Sequence, residues 1–245
     1  IAEYCGVAAA IYFVRRHLKR LPEAESRVRV FDFAKMKGIL TFNSFIFLRT
    51  LCVVSGSAIF MTQGAKLGDV PLAANHVLYN FMLITSFGLD GLANAAEALI
   101  GQATGRCDRR AFDQAARAVL LWSGVVGVIN FLIYWLFGAA IVALLTDIEA
   151  VRVAAAEFLP WAIVMPLVSV WAYTFDGIFL GARRARTMLA CMLFSFAVYM
   201  VAMFTLLPAY DNHALWLALN AFLGFRGLTL MLCYPRLRRE LHSQC

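Results

Sequence analysis

The chain has 245 residues, of which 62% are hydrophobic and only 15% charged, with a mean hydropathy of +0.74 and a formal net charge of +7. A charged fraction this far below the ~25% of an ordinary soluble domain excludes a water-solvated globule and makes the lipid bilayer the main partner. The positive charge does not signal a nucleic-acid partner, because it is dispersed over short stretches between apolar blocks and no nucleic-acid-binding motif accompanies it.

The chain opens with Ile1 and is apolar from Val7 to Val14, running straight into Arg15, Arg16, His17, Lys19 and Arg20. With no charged leading region and no small-residue cleavage site, residues 1–14 read not as a signal peptide but as the end of a transmembrane helix that begins upstream. Residues 15–37 form the longest polar stretch, broken at Leu21-Pro22. Their Val28, Val30, Phe31, Phe33 and Ala34 interleave with Arg27, Arg29, Asp32, Lys35 and Lys37. This pattern predicts a linker containing a short amphipathic piece that lies on the inner leaflet.

Six apolar blocks follow, near 40–63, 72–101, 115–145, 155–181, 187–208 and 213–234. Each reaches the ~20 residues a helix needs to cross the hydrocarbon core. None shows the two-residue alternation of a membrane strand, and in lipid the backbone must bond within its own segment, so the blocks are helices. The predicted fold is an all-α polytopic membrane helix bundle, with residues 38–235 as a six-helix lobe and 236–245 as a tail. Pro71 sits where a helix start tolerates it, Pro208 and Pro235 sit where helices are expected to stop, and Pro160 and Pro166 should bend the block that holds them.

The basic residues sort by loop. Arg106, Arg109, Arg110 and Arg117 follow the block at 72–101, Arg183, Arg184 and Arg186 follow that at 155–181, and Arg236, Arg238 and Arg239 close the chain; the alternate loops hold only Lys66 and Arg152. Retention of Lys and Arg on the cytoplasmic side then places residues 15–37, 105–111, 182–187 and 235–245 inside. The loops near 64–71, 146–153 and 208–213 are outside.

Five ionisable side chains fall within the spans: Arg49, Asp90, Glu97, Asp176 and Arg226. Each costs at least ~2.5–3.5 kcal/mol at a helix centre, so each is expected to face protein or a water-filled cavity. Counted from the ends of their blocks they lie ~7–17 Å above the cytoplasmic boundary, all in the inner half. Asp90, Asp176 and Glu97 are the candidates for binding a proton, a cation or a cationic substrate. Arg49 and Arg226 are the candidate ion-pair partners, Arg49 for Asp90 and Arg226 for Asp176 or Glu97. Three acids and two bases cannot all pair one to one, which leaves one carboxylate available.

Other polar residues carry weaker signals. Asn43, Asn75, Asn80, Asn94, Gln102, Asn130 and Asn220 are expected to hydrogen-bond across helices, and the small residues Gly88, Gly91, Ala93, Ala95 and Ala96 to permit close packing. His76 and His213 belong near the outer face as interfacial residues. The six cysteines are scattered without CxxC or metal-ligand spacing, so they read as small hydrophobes or free thiols and no metal site is expected.

Three stretches carry a family resemblance: LGDVPLAANHVLYNFMLITSFGLDGLANAAEALIGQATG from Leu67 to Gly105, LLTDIEAVRVAAAEFLPW from Leu144 to Trp161, and DGIFLGARRARTM from Asp176 to Met188. Together and in this order they resemble the C-terminal lobe of DinF-type transporters, a subgroup of the multidrug and toxic compound extrusion (MATE) family, over almost the whole chain. The resemblance implies twelve helices in two six-helix lobes. On it, residues 1–14 are the end of the sixth helix, 15–37 the interlobe linker, and 40–234 helices seven to twelve.

It further implies a protein of the inner (plasma) membrane with its C-terminus in the cytoplasm, working by alternating access together with an N-terminal lobe absent from this chain. Such a protein exports a small lipophilic, often cationic compound in exchange for H+ or Na+, needs no other cofactor and is not an enzyme. The pattern departs from another subgroup, which carries a coupling glutamate in helix seven, where this chain offers Arg49; Asp176 lies in helix ten, where that subgroup has an aspartate. In DinF-type relatives an aspartate of the first helix is central to proton coupling, and that helix lies outside this chain. Two alternatives stay open. A flippase for lipid-linked sugars would show a more cationic cavity, and an integral-membrane enzyme would show His or acid clusters at one interface.

Overall fold

A computed structural model describes residues 2–18 and 33–244, so most of the expected linker lies outside the described residues. Residues 1–40 and 41–245 form two separate compact units. The first holds α1 (Ala2–Leu18), whose described side chains are all exposed, and the beginning of α2 (Phe33–Lys66). Residues 33–37, expected in the linker, already belong to α2.

The second unit continues with α3 (Asp69–Gly105), α4 (Arg109–Leu145), α5 (Glu149–Gly181) and α6 (Ala185–Gln244). Every described element is a helix, and five of them are long and apolar enough to cross a membrane. The last two expected spans are not joined by a loop. At 1.5 Å per residue a straight α6 of 60 residues would be about 90 Å long, three times the hydrocarbon thickness. It breaks at Asp211, whose φ of 44° and ψ of −126° leave the helical region, and folds back on itself. The hairpin shows in nested pairs about that residue: Tyr199 with Phe222 (ring centroids 5.5 Å apart), Cys191 with Cys233 (Sγ to Sγ 3.9 Å) and Arg184 with Glu240 (3.1 Å). Pro208 precedes the break, whereas Pro235 does not stop the helix as expected; α6 continues through it, and through the tail, to Gln244. α5 likewise runs uninterrupted through Pro160 and Pro166.

The turns are short. Asp108 caps α4 by accepting from the Ala111 amide at 3.0 Å. Cys107 (φ 53°) and Arg183 (φ 58°) close α3 and α5 in the left-handed conformation, and in each case the next amide returns to a carbonyl five residues back, Asp108 to Ala103 and Arg184 to Phe179. Cys5, Cys52, Cys191 and Cys233 are free thiols; Cys107 is in a disulfide, against the expectation.

α5 is the central helix, packed against α3, α4 and α6. Its contact with α3 is a backbone approach. A Cβ at Gly177 would lie 2.4 Å from the Ala93 carbonyl oxygen, and one at Gly181 would lie 2.7 Å from that of Glu97, so only hydrogen fits at either position. Sequence reasoning looked for this packing on α3. Ala93 and Ala96 do take part in the buried surface, but Gly88 and Gly91 face open space, and the decisive glycines are on α5.

Candidate functional site

The helical period assembles the site. Asp90, Ala93, Asn94 and Glu97 recur at three- and four-residue steps on one face of α3, and Tyr173, Asp176, Gly177 and Leu180 do the same on α5. The glycine contact brings these two stripes side by side. α2 adds Arg49, Thr50 and Val53, and the two arms of α6 add Met188 and Arg226. Together they enclose a cavity of about 320 Å³ that all five intramembrane charges line.

Arg226 pairs with Asp176, one of its two expected partners, but the other pairing differs. Arg49 does not pair with Asp90. Instead the Nη2 groups of Arg49 and Arg226 both donate to Oδ2 of Asp176. Asp176 (7% exposed) and Arg226 (3% exposed) are buried, so this two-to-one arrangement carries a net positive charge in low dielectric. Arg226 also sits over the ring of Tyr173, 5.4 Å from its centroid, and the Tyr173 hydroxyl is 2.6 Å from that of Ser86. The Nε of each arginine is buried without a hydrogen-bond partner.

Because both bases converge on one acid, two carboxylates are left over rather than one. Asp90 and Glu97 are exposed along the α3 stripe, and among the described residues neither makes a hydrogen bond or an ion pair. The three acids and two arginines leave the cavity with one net negative charge, carried by the side chains that are accessible. Chemically this is a place for a proton or a cation. No group of three His, Cys, Asp or Glu among the described residues is placed to hold a metal ion.

At the opposite end lies a polar cluster of another kind. Asn75 Nδ2 donates to Asn212 Oδ1 at 2.6 Å, Asn212 Nδ2 returns a bond to Asn75 Oδ1 at 2.9 Å, and Trp216 Nε1 donates to the same oxygen at 2.8 Å. All three residues are buried. His213 accepts from Trp161 Nε1 at 3.1 Å, lies 3.3 Å from Glu157 and packs edge-on against Phe158. Asn75 and Asn220 do hydrogen-bond across helices as expected, Asn220 to the Trp161 carbonyl. Asn212 went unnoticed because it lies in an expected loop, and Tyr173 because an aromatic in an apolar block gives no sequence signal.

Residues 46–205 match the MatE family model. The chain is also similar to the DNA damage-inducible protein F of Escherichia coli (strain K12), with 36% identity over 236 residues, which covers 96% of this chain and 51% of that protein. It thus spans about half the length of that relative.

Proposed function

The chain belongs to the MatE family, and from that premise we propose that it is the C-terminal half of a membrane transporter. In this reading it exports a small lipophilic, cationic compound by alternating access, in exchange for H+ or Na+, and an N-terminal six-helix lobe completes the carrier. The observation that carries the reading is the cavity itself. Asp176 is anchored between Arg49 and Arg226, while Asp90 and Glu97 offer unpaired carboxylates to a proton or cation. Asp176 then positions the arginines, and Asp90 and Glu97 exchange the coupling ion. An excess of acids over arginines supports a cationic cargo over the pyrophosphate of a lipid-linked sugar, and membership of the family supports a carrier over an enzyme.

Neutralising Asp90 to Asn and Glu97 to Gln together in the complete protein is expected to abolish pH- or sodium-driven export into vesicles while leaving membrane abundance unchanged. Normal coupled export by the double variant would place coupling elsewhere.

The orientation follows from charge. The turns at 106–108 and 182–184 and the C-terminal end of α6 lie at one end of the bundle, as Arg238 to Asp113 (2.6 and 2.8 Å) and Arg184 to Glu240 (3.1 Å) show, and Lys66 and Arg152 belong to the other. We assign the arginine-rich end to the cytoplasm of an inner-membrane protein. A cysteine replacing Asp211 should be modified by an impermeant thiol reagent in intact cells, and one replacing Arg183 should not; the reverse result inverts the topology.

A further inference from the structure

α5 has a second lined face. Val168, Trp171 and Phe175 lie on the side opposite Tyr173, Asp176 and Leu180, and on the second arm of α6 Gly224, Gly227 and Met231 lie opposite Arg226. With the start of α4 these residues form a groove of about 850 Å³. Its lining is almost wholly carbon. The glycines form its floor, and Leu121 (63% exposed), Leu228 (48%) and Met231 (53%) form an open rim. Such a lining suits a hydrocarbon chain better than water.

One charged side chain lines the groove, Arg117, two turns into α4 from the arginine-rich end. It is exposed and, among the described residues, has no hydrogen-bond or ion-pair partner. The acid one turn before it, Asp113, is the natural helical partner for a cation at that spacing, but both its oxygens accept from Arg238, at 2.8 and 2.6 Å. An uncommitted guanidinium at the polar end of an apolar slot is complementary to an amphiphilic anion, with the charge at the membrane interface and the chain running inward. Apolar matching alone would not hold a lipid there, since bulk hydrocarbon is an equal alternative. The charge supplies the preference. Arg109 and Arg110 begin the same helix and add a field that disfavours a headgroup ammonium.

We propose that this groove is a binding site for an anionic phospholipid, with its phosphate on the Arg117 guanidinium and an acyl chain laid along Trp171 and the Gly224–Gly227 floor. The site lies on the other face of α5 from the charged cavity and does not depend on the transport reading.

The test uses the complete protein in detergent, titrated with phosphatidylglycerol or phosphatidylcholine brominated in the acyl chains. The readout is fluorescence quenching, and the contribution of Trp171 is isolated by subtracting the same titration of Trp171→Phe. Saturable quenching is expected, with phosphatidylglycerol about five-fold tighter than phosphatidylcholine, the preference that one interfacial cation provides. Arg117→Gln, at an exposed position, should bring the two lipids within two-fold of each other, and Arg117→Lys should keep the preference. Unbrominated phosphatidylglycerol should reverse the quenching, and inorganic phosphate at the same concentration should not. Equal quenching by both lipids, a preference that survives Arg117→Gln, or displacement by inorganic phosphate would each overturn the proposal.

Discussion

The two ends of the six-span unit solve the problem of polar groups in a membrane in opposite ways. At the end holding the Asp211 break, Phe60, Trp216, Tyr199 and Phe222 pack ring against ring, and the amides of Asn75 and Asn212 with the Trp216 indole form a closed set in which each donor meets an acceptor. At the arginine-rich end the helices part around a cavity with two unpaired carboxylates and two buried Nε groups that have no partner. Within this triad the polarity is spent internally. Residual polarity keeps the second end available to water and ions. The unpaired intramembrane charges are therefore gathered around that cavity, although both halves contain buried polar residues.

The comparison can be broken most severely at Asp176. Its replacement by Asn strands Arg49 and Arg226 together in a buried site, at an expected cost of ~3–5 kcal/mol; the check is loss of membrane abundance and a lower melting temperature of the complete protein. Next comes Gly177→Leu, which drives a side chain into the Ala93 backbone, where no flexible side chain can give way, and should separate the α3 and α5 stripes at a cost of ~3 kcal/mol or more, read in the same melting assay together with loss of export. Smallest is Asn75→Ala at the closed end. It leaves Asn212 and Trp216 Nε1 without partners, at ~1–3 kcal/mol, and it should lower the melting temperature without shifting the pH dependence of transport. A shift in that pH profile would mean that the closed end also takes part in ion exchange.

The six spans could be read from the sequence because bilayer thickness imposes their length. The five intramembrane charges stood out for a related reason: each is expensive in hydrocarbon, so each marks a protected site. Their common depth was legible as well, since rise per residue is fixed. Their pairing was legible only in part, for Arg226 with Asp176 and not for Arg49. Depth says nothing about the rotation of one helix against another, which is why Asp176 rather than Asp90 meets Arg49, nor does it reveal that Gly177 and Gly181, unremarkable in an apolar block, set how closely α3 approaches α5. Pro235 misled for a simpler reason: a proline forbids a helix less firmly when neighbouring helices support the backbone around it.

The glycine contacts also set the mechanics. α3 is joined to α5 at Gly177 and Gly181, and the second arm of α6 is joined to α5 at Gly227, where a Cβ would lie 2.9 Å from the Ala172 amide nitrogen, so these three elements meet backbone against backbone. α2 has no backbone seam of this kind; a Cβ at its Gly56 would meet only atoms 3.8–3.9 Å away, and one at its Gly64 would meet a side chain, Nδ2 of Asn75, at 3.0 Å. It is held at one end by Phe60 against Trp216 and by the Tyr199 hydroxyl donating to the Gly56 carbonyl, and at the other by Arg49 on Asp176. These two attachments of α2, at Phe60 and at Arg49, lie about 16 Å apart along the helix. Were Arg49 withdrawn together with α2, Asp176 would keep only Arg226 and the cavity would gain a unit of negative charge, so the charge balance of the cavity is tied to where α2 stands.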